Sequence, residues 1–436
     1  MLEFKNRFLS LRQNMKRIKR FLKILGPGII TGASDDDSSG VVTYSQTGAL
    51  FGFSQLWTAL FSFPFMTVLQ EMCGRIGLVT GKGLASIIKE NYSKKVLYLM
   101  VTLLVAANIF NIGADLSAMA ATLKLLFGLH FVLWLAAVAV LIIALQVFIP
   151  YKTYARILKY LTLSLLAYVL TAFAVHQDWL SILRHTVTPR FSFQKDYLLN
   201  IVAILGTTIS PYLFFWQASE EVEEEVRKHR LSCMGGSKAP EIKCRDVRDL
   251  RIDTVIGMLL SNLIMFFIIV TTASTLGAHG ISDIQTADQA AEALRPLAGN
   301  FAYLLFTLGI VGTGLLAVPI LAGSASYALS EVFGWKEGLY RKFGQAHGFY
   351  GIIVATILVG LLINITPIPP FKLLYYTAAF NGICAPPLMV VIMFIGRNKK
   401  IMGEHVNSAF SNVMGWIITV LMAFCALALI IASLIG

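Results

Sequence analysis

Charge is what this sequence has least of. Only 14% of its 436 residues are Asp, Glu, Lys or Arg, where a soluble domain carries about 25%. That shortage excludes a soluble enzyme and a disordered chain. It also excludes a nucleic-acid binder. The formal charge is +12, but the basic residues sit in short blocks between long apolar stretches, as membrane loops do. Cysteine is scarce as well. Cys73, Cys233, Cys244, Cys384 and Cys425 have no metal-ligand spacing, and five scattered thiols make no disulfide framework. No cleavable leader is expected, because the first apolar segment follows a basic arm and lacks a small-residue cleavage site.

What is present is apolar. Hydrophobic residues make up 56% of the chain, and mean hydropathy is +0.71. A membrane helix needs about 20 mostly apolar residues. On that rule, spans are expected near 25–49, 54–78, 96–126, 131–149, 155–176, 199–218, 252–277, 299–332, 349–366, 370–396 and 412–435. The chain reads as an all-α polytopic membrane protein with about eleven helices. A basic arm, residues 1–24, precedes a single transmembrane domain, 25–436.

Basic residues mark alternate loops. The arm carries Lys5, Arg7, Arg12, Lys16, Arg17, Lys19, Arg20 and Lys23. Further blocks are Lys82 to Lys95, Lys152 and Arg156, Lys336 to Lys342, and Arg397 to Lys400. The intervening loops are poor in such residues, except 177–198 with Arg184, Arg190 and Lys195. The positive-inside rule then places the N-terminus in the cytoplasm, and an odd span count places the C-terminus outside. The stretch 219–251 is the longest polar one. It reads as a mixed-charge cytoplasmic loop with a helix extension; a metal-sensing role for Glu220, Glu221, Glu223, Glu224 and Glu225 is the sharper alternative.

Two spans are interrupted. The first holds Asp35, Asp36 and Asp37 with Ser38, Ser39 and Gly40 in its middle. Each charge at a membrane-helix centre costs about 2.5–3.5 kcal/mol on insertion scales. Unwound backbone is expected there, lining a polar cavity; a simple helix N-cap is the plainer role for Asp35 or Asp36. In the sixth span Gly206, Thr207, Thr208, Ser210 and Pro211 break the run. Pro211 has no N–H to give and frees carbonyls one turn back. Two five-helix blocks, each opening on a broken helix, match the inverted repeats of secondary transporters, with substrate and ion held between the breaks. The repeats are expected at about 25–176 and 199–396, with an extra helix at about 412–435.

The breaks offer only hard oxygen donors: the carboxylates of Asp35, Asp36 and Asp37, the hydroxyls of Ser38, Ser39, Thr207 and Ser210, and backbone carbonyls. No Met, Cys or His lies in either break. Such donors suit Mg2+ or Ca2+ rather than softer ions. Mg2+ keeps several waters, so it needs a roomy site and one or two carboxylates. Asp37 is the principal candidate ligand.

Several stretches together resemble the NRAMP (natural resistance-associated macrophage protein) metal-ion transporters. They are Gly26-Pro27-Gly28 with Asp37, Gln46, Gly48, Phe51 and Gly52; Gln70, Arg75, Gly77 and Val79 to Lys82 with Leu84-Ala85; Asp115-Leu116; and Leu308-Gly309 through Gly323, Tyr327, Glu331, Phe333 and Trp335-Lys336. The resemblance implies a LeuT-like fold and divalent-cation transport without enzymatic activity or a resident cofactor. The departures matter. The family's Asp-Pro-Gly-Asn reads Asp37-Ser38-Ser39-Gly40 here, and its Met-Pro-His reads Ser210-Pro211-Tyr212. The sequence therefore resembles the NRAMP-related magnesium transporter branch. The implied metal set is Asp37, Gly40, Thr207 through its carbonyl, Ser210 and Asn381. Asp35, Asp36, Ser38, Ser39, Tyr212, Gln217 and Asp115 are supporting candidates. The family's proton-linked positions read Tyr212 and Ala118, and no imidazole lies mid-span, so tight proton coupling is not expected.

The expected partners are divalent ions, Mg2+ first and Mn2+ also, and the lipid bilayer, in a bacterial plasma membrane. A proton-coupled Mn2+ or Fe2+ importer is the nearest rival, and a divalent-cation channel is a second. A Na+-coupled organic solute carrier would aim helix N-termini at a substrate carboxylate, which native carboxylates repel. An intramembrane aspartyl protease needs a second aspartate motif to match Asp115 after Gly113-Ala114, and none is found.

Overall fold

The computed structural model describes residues 26–149, 162–236 and 239–435. The basic arm at 1–24, the Lys152 and Arg156 block and the start of the fifth span lie outside the described residues. Among the described residues there is no β-strand. The first span is two helices, α1 (Pro27–Asp35) and α2 (Ser38–Phe51). Then follow α3 (Trp57–Thr80), a short α4 (Leu84–Asn91), α5 (Lys94–Phe127) and α6 (Phe131–Phe148). The described part of the fifth span ends in α7 (Leu166–Ala174), and α8 (Trp179–Val187) turns away from it. The sixth span is again two helices, α9 (Lys195–Thr208) and α10 (Pro211–Arg227). The rest are α11 (Cys244–Thr275), α12 (Ala302–Phe333), α13 (His347–Ile363), α14 (Pro370–Arg397) and α15 (Ala409–Ile435), with single turns between them left unnumbered.

Seven described segments are long and apolar enough to cross a membrane unaided. The remaining spans fall short for visible reasons. The first is broken, α3 carries Glu71 and Arg75, and α13 has only 17 residues. The charges of α3 are met within the helix and by the link before α15: Arg75 forks onto the Glu71 carboxylate at 3.1 and 3.3 Å and donates to Asn407 Oδ1 at 2.8 Å.

Contacts sort the connections into two ends. At one end the chain entering α1 meets the start of α11, where Asp253 accepts from Gly28 N–H at 2.7 Å. At this end also, Ser86 N–H donates to Glu331 Oε2 at 2.8 Å, joining α4 to the end of α12. At the other end the link between α2 and α3 meets α8 and the link after it: Phe53 lies 6.1 Å from the His185 ring of α8, and Trp57, which opens α3, 4.9 Å from the Phe191 ring. This alternation is what eleven successive crossings require.

Two expectations are refined. The polar stretch 219–251 is a loop with helix at both ends. α10 runs on to Arg227 and α11 begins at Cys244, so Glu220, Glu221, Glu223 and Glu225 are buried helix residues. Buried charge calls for partners, and Glu223 and Glu225 have them. Glu223 takes hydrogen bonds from the Tyr327 hydroxyl, the Leu339 N–H and Arg227. Glu225 pairs with Arg230 at 3.2 Å. Among the described residues no group of three or more His, Cys, Asp or Glu is arranged to hold a metal ion, so the metal-sensing alternative gains no support. Secondly, the loop 177–198 contains the nine-residue helix α8, which bends 119° from Leu163–Ala174.

Candidate cation site at the paired breaks

Both breaks arise from local chemistry. α1 ends at Asp35, and Asp36 turns out of the helix at φ −85°, ψ 53°. Asp37 is extended and serves as N-cap of α2, its Oδ1 accepting from Gly40 N–H at 2.8 Å and from Ser39 Oγ at 2.6 Å. A carboxylate is among the preferred N-cap groups, so Asp37 starts the helix that holds it in place. In the sixth span α9 ends at Thr208, and Pro211 is the first residue of α10. Pro211 cannot donate to the carbonyl four residues back, which is Thr207. The Ser210 hydroxyl fills in, donating to the Thr207 carbonyl at 2.7 Å and the Gly206 carbonyl at 2.8 Å.

The breaks face each other. Ser39 Oγ is 3.4 Å from Thr207 Oγ1. A β-carbon added at Gly40 would sit 3.2 Å from the Asp35 carbonyl, 3.3 Å from Thr207 Oγ1 and 3.4 Å from the Tyr44 ring. The Tyr212 hydroxyl donates to the Ser34 carbonyl at 2.9 Å and reaches Asp37 Oδ2 at 3.5 Å. The second Asp37 oxygen is therefore the less engaged one.

Some of the remaining polar surface is buried without a partner. Asp35 Oδ1 and both side-chain heteroatoms of Asn381 have no hydrogen-bond partner among the described residues. Asp115, on α5, faces Ser38 and the Asp37 carboxylate. Asp35, Asp36, Asp37 and Asp115 are all at most 4% exposed. Among the described residues none of them forms an ion pair with Lys, Arg or His. Uncompensated buried carboxylates are costly, so this arrangement favours a cation or protons at the junction.

Asp37, Ser39, Gly40, Thr207 and Tyr212 are brought together, with Ser210 holding the Thr207 carbonyl and Ser38 turned toward Asp115. Asp35 and Asp36 share Ser261 of α11, whose hydroxyl donates at 2.6 and 3.2 Å. Asn381 lies on α14 beside Gly382, which packs on Gly206. Gln217 is placed elsewhere. It lies seven residues beyond Ser210, about 10 Å along the helix, accepts from Thr31 Oγ1 and donates to Glu221 Oε1 at 2.9 Å.

Sequence reasoning missed Tyr44, Ser261 and Asp253. Asp253 accepts from the N–H groups of Gly26, Gly28 and Ile29 at 3.0, 2.7 and 3.2 Å, so it caps α1 from α11. A partial signal was available: Gly26 has no side chain to cap with, and Asp253 stands where the charged stretch gives way to the apolar run. Tyr44 and Ser261 carried no signal, being ordinary helix residues by pattern.

The family model described as natural resistance-associated macrophage protein-like matches residues 28–432. A divalent metal cation transporter MntH of Caldanaerobacter subterraneus subsp. tengcongensis is 23% identical over 413 residues, covering 91% of this chain and 90% of the relative. The protein of the same name from Bacillus subtilis is 24% identical, covering 97% and 95%. Among solved structures, a manganese transporter of Eremococcus coleocola superposes with a TM-score of 0.75 at 17% identity, covering 94% of this chain and 86% of that one. Mhp1, a nucleobase-cation-symport-1 family transporter, superposes with a TM-score of 0.61 at 14% identity, covering 94% and 91%. These likenesses make the fold LeuT-like.

Proposed function

This chain belongs to the natural resistance-associated macrophage protein-like family, and from that premise we propose that it carries divalent metal cations across a membrane by alternating access. Its relatives are named as divalent metal cation transporters and its structural neighbour as a manganese transporter, which favours Mn2+ as cargo. The observation that carries the reading is the pairing of Asp37 with the Thr207 break inside a buried, cation-free cluster of carboxylates. Asp37 supplies the charge. The Thr207 carbonyl and the hydroxyls of Ser39 and Tyr212 replace part of the ion's water. Asp115, which faces Asp37, and the unpartnered side chain of Asn381 are placed to hold water that the ion keeps.

A second reading, Mg2+ as the physiological ion, is favoured by the donor set itself. Every group named at the junction binds through oxygen, with neither thioether nor imidazole to reward a softer ion. The two readings share one mechanism. The membrane potential contributes about 4.6 kcal/mol per 100 mV for a divalent ion, twice the single-charge value, so inward movement does not demand a coupled proton. Uptake into proteoliposomes tests both: Mn2+ and Mg2+ are supplied separately and then in competition. Mn2+ uptake unaffected by millimolar Mg2+ leaves the first reading alone; absence of uptake for either ion removes both.

A further inference from the structure

The 5–6 connection breaks the charge rule of the other loops. Arg184, Arg190 and Lys195 are exposed, lie at the end opposite the basic blocks, and form no ion pair among the described residues. Asp196 is the single acid within 184–197. The same segment carries apolar surface. α8 buries Ile182 and Thr186 but exposes Leu180 by 79%, and Leu183 and Val187 stand outward with it. Phe191 and Phe193 follow, 70% and 76% exposed. A helix that turns 119° off the preceding span, with one apolar exposed stripe and basic neighbours, has the pattern of an interfacial helix lying at headgroup depth.

Beside it lies a crevice of about 390 Å³ between α3, α9 and α15, walled by Trp57, Phe61, Phe191, Tyr197, Leu421 and Phe424. Phe61 and Phe424 are exposed by 40% and 58%, so the crevice opens on the outer face of the bundle, where the membrane lies. Arg190 and Lys195 adjoin its lining residues in sequence, and Arg184 stands exposed on α8. Arg190 sits between the lining residues Pro189 and Phe191, and its carbonyl accepts from the Tyr197 hydroxyl. Lys195 stands between Phe193 and Tyr197, which also line it.

We propose that this crevice is a binding site for an anionic phospholipid, one acyl chain between α3 and α15 and the phosphate held by Arg184, Arg190 and Lys195. The site accounts at once for three features that ion transport does not use: the misplaced basic residues, the exposed aromatic pair and the apolar crevice. Long cationic side chains suit the role, because their stems lie on apolar surface while their charges reach the headgroup layer. The proposal is independent of the cargo ion.

Native mass spectrometry of the delipidated full-length protein tests it, with phosphatidylglycerol, phosphatidylcholine, diacylglycerol and glycerol phosphate offered in turn. Phosphatidylglycerol is expected to bind roughly thirtyfold more tightly than phosphatidylcholine, the affinity that two net surface cations contribute. Glycerol phosphate and diacylglycerol alone are expected to bind far less. Replacing the three cations (R184Q, R190Q, K195Q) should abolish the preference. Filling the crevice by Cys425→Phe should weaken phosphatidylglycerol with the cations intact. A brominated phosphatidylglycerol chain should quench Trp57. Equal retention of the two phospholipids by the wild-type chain overturns the proposal, and that comparison needs no variant. Phosphatidylglycerol retained fully by the triple variant overturns it too, as does a lipid-free dimer whose interface protects Trp57 from the brominated chain.

Discussion

Ser39 Oγ and Thr207 Oγ1 lie 3.4 Å apart across two helix breaks separated by 168 positions in sequence. Each hydroxyl belongs to a helix that one residue has interrupted, Asp37 by capping and Pro211 by withholding its N–H. The contact therefore joins an anion to a freed carbonyl, which is the minimum a cation needs from a protein.

Asp37→Asn separates the two roles of that side chain. Asparagine caps a helix about as well as aspartate, so thermal stability is expected to stay close to wild type. Uptake of Mn2+ or Mg2+ by proteoliposomes should fall by more than tenfold, since a neutral amide replaces the charge. Undiminished uptake by a folded variant would remove Asp37 from the ligand set.

Ser210→Met puts a thioether at the sixth-span break. Competition by Cd2+ against Mn2+ should strengthen, because sulfur rewards the softer ion. An unchanged Cd2+ inhibition constant would mean that Ser210 points only at the Gly206 and Thr207 carbonyls throughout the cycle.

Transport is expected without a fixed proton stoichiometry. Tyrosine titrates at about 10, so Tyr212 does not exchange a proton near neutrality, and none of the seven histidines is buried. A pH-sensitive dye inside proteoliposomes with clamped potential should show no metal-dependent acidification. A constant ratio of protons to metal would overturn this and point to Asp115, which faces Asp37.

Asp253→Ala should loosen α1 rather than unfold the protein. Three N–H groups of the first helix lose their acceptor, and loss of a cap costs about 1–2 kcal/mol. Hydrogen exchange of residues 26–35 should accelerate roughly 5–30-fold, with the core of α5 unchanged. Equal acceleration in both would indicate global destabilisation.

Cysteines introduced at His130 and at His229, in a background without the five native thiols, should label from opposite sides of the membrane, His130 from outside. Labelling of both from one side contradicts the alternation of the connections.

The fold was readable because its signals are additive over long windows: each apolar run stands out, and Asp37 and Pro211 are conspicuous where they interrupt one. The glutamates of α10 were not readable as buried. Glu223's partners Tyr327 and Leu339 lie more than 100 residues away, and no local pattern distinguishes a solvated Glu from one that a distant hydroxyl satisfies. Gln217 misled for a related reason. It lies on the same helix as Ser210, but helix geometry carries it two turns off, to Thr31. Tyr44 and Ser261 belong to the site's support through tertiary contact alone.

Glycine sets where this molecule can bend. A β-carbon at Gly206 would lie 2.1 Å from the Ala378 carbonyl and 2.3 Å from Gly382 N, so α9 and α14 are in backbone contact, like two planks glued along their grain. α1 meets α11 just as closely at Gly28 and Gly257, where an added β-carbon would lie 2.2 Å from the Gly28 carbonyl, but that seam is fastened by the hydrogen bonds of Asp253, which water can replace one at a time. The first joint has its own polar fastener, the Tyr375 hydroxyl of α14 donating to Asn200 Oδ1 of α9 at 3.0 Å. Without Asp253 the α1–α11 seam would rest on backbone contact alone, whereas the wall bearing Thr207 keeps both its contact and its bond.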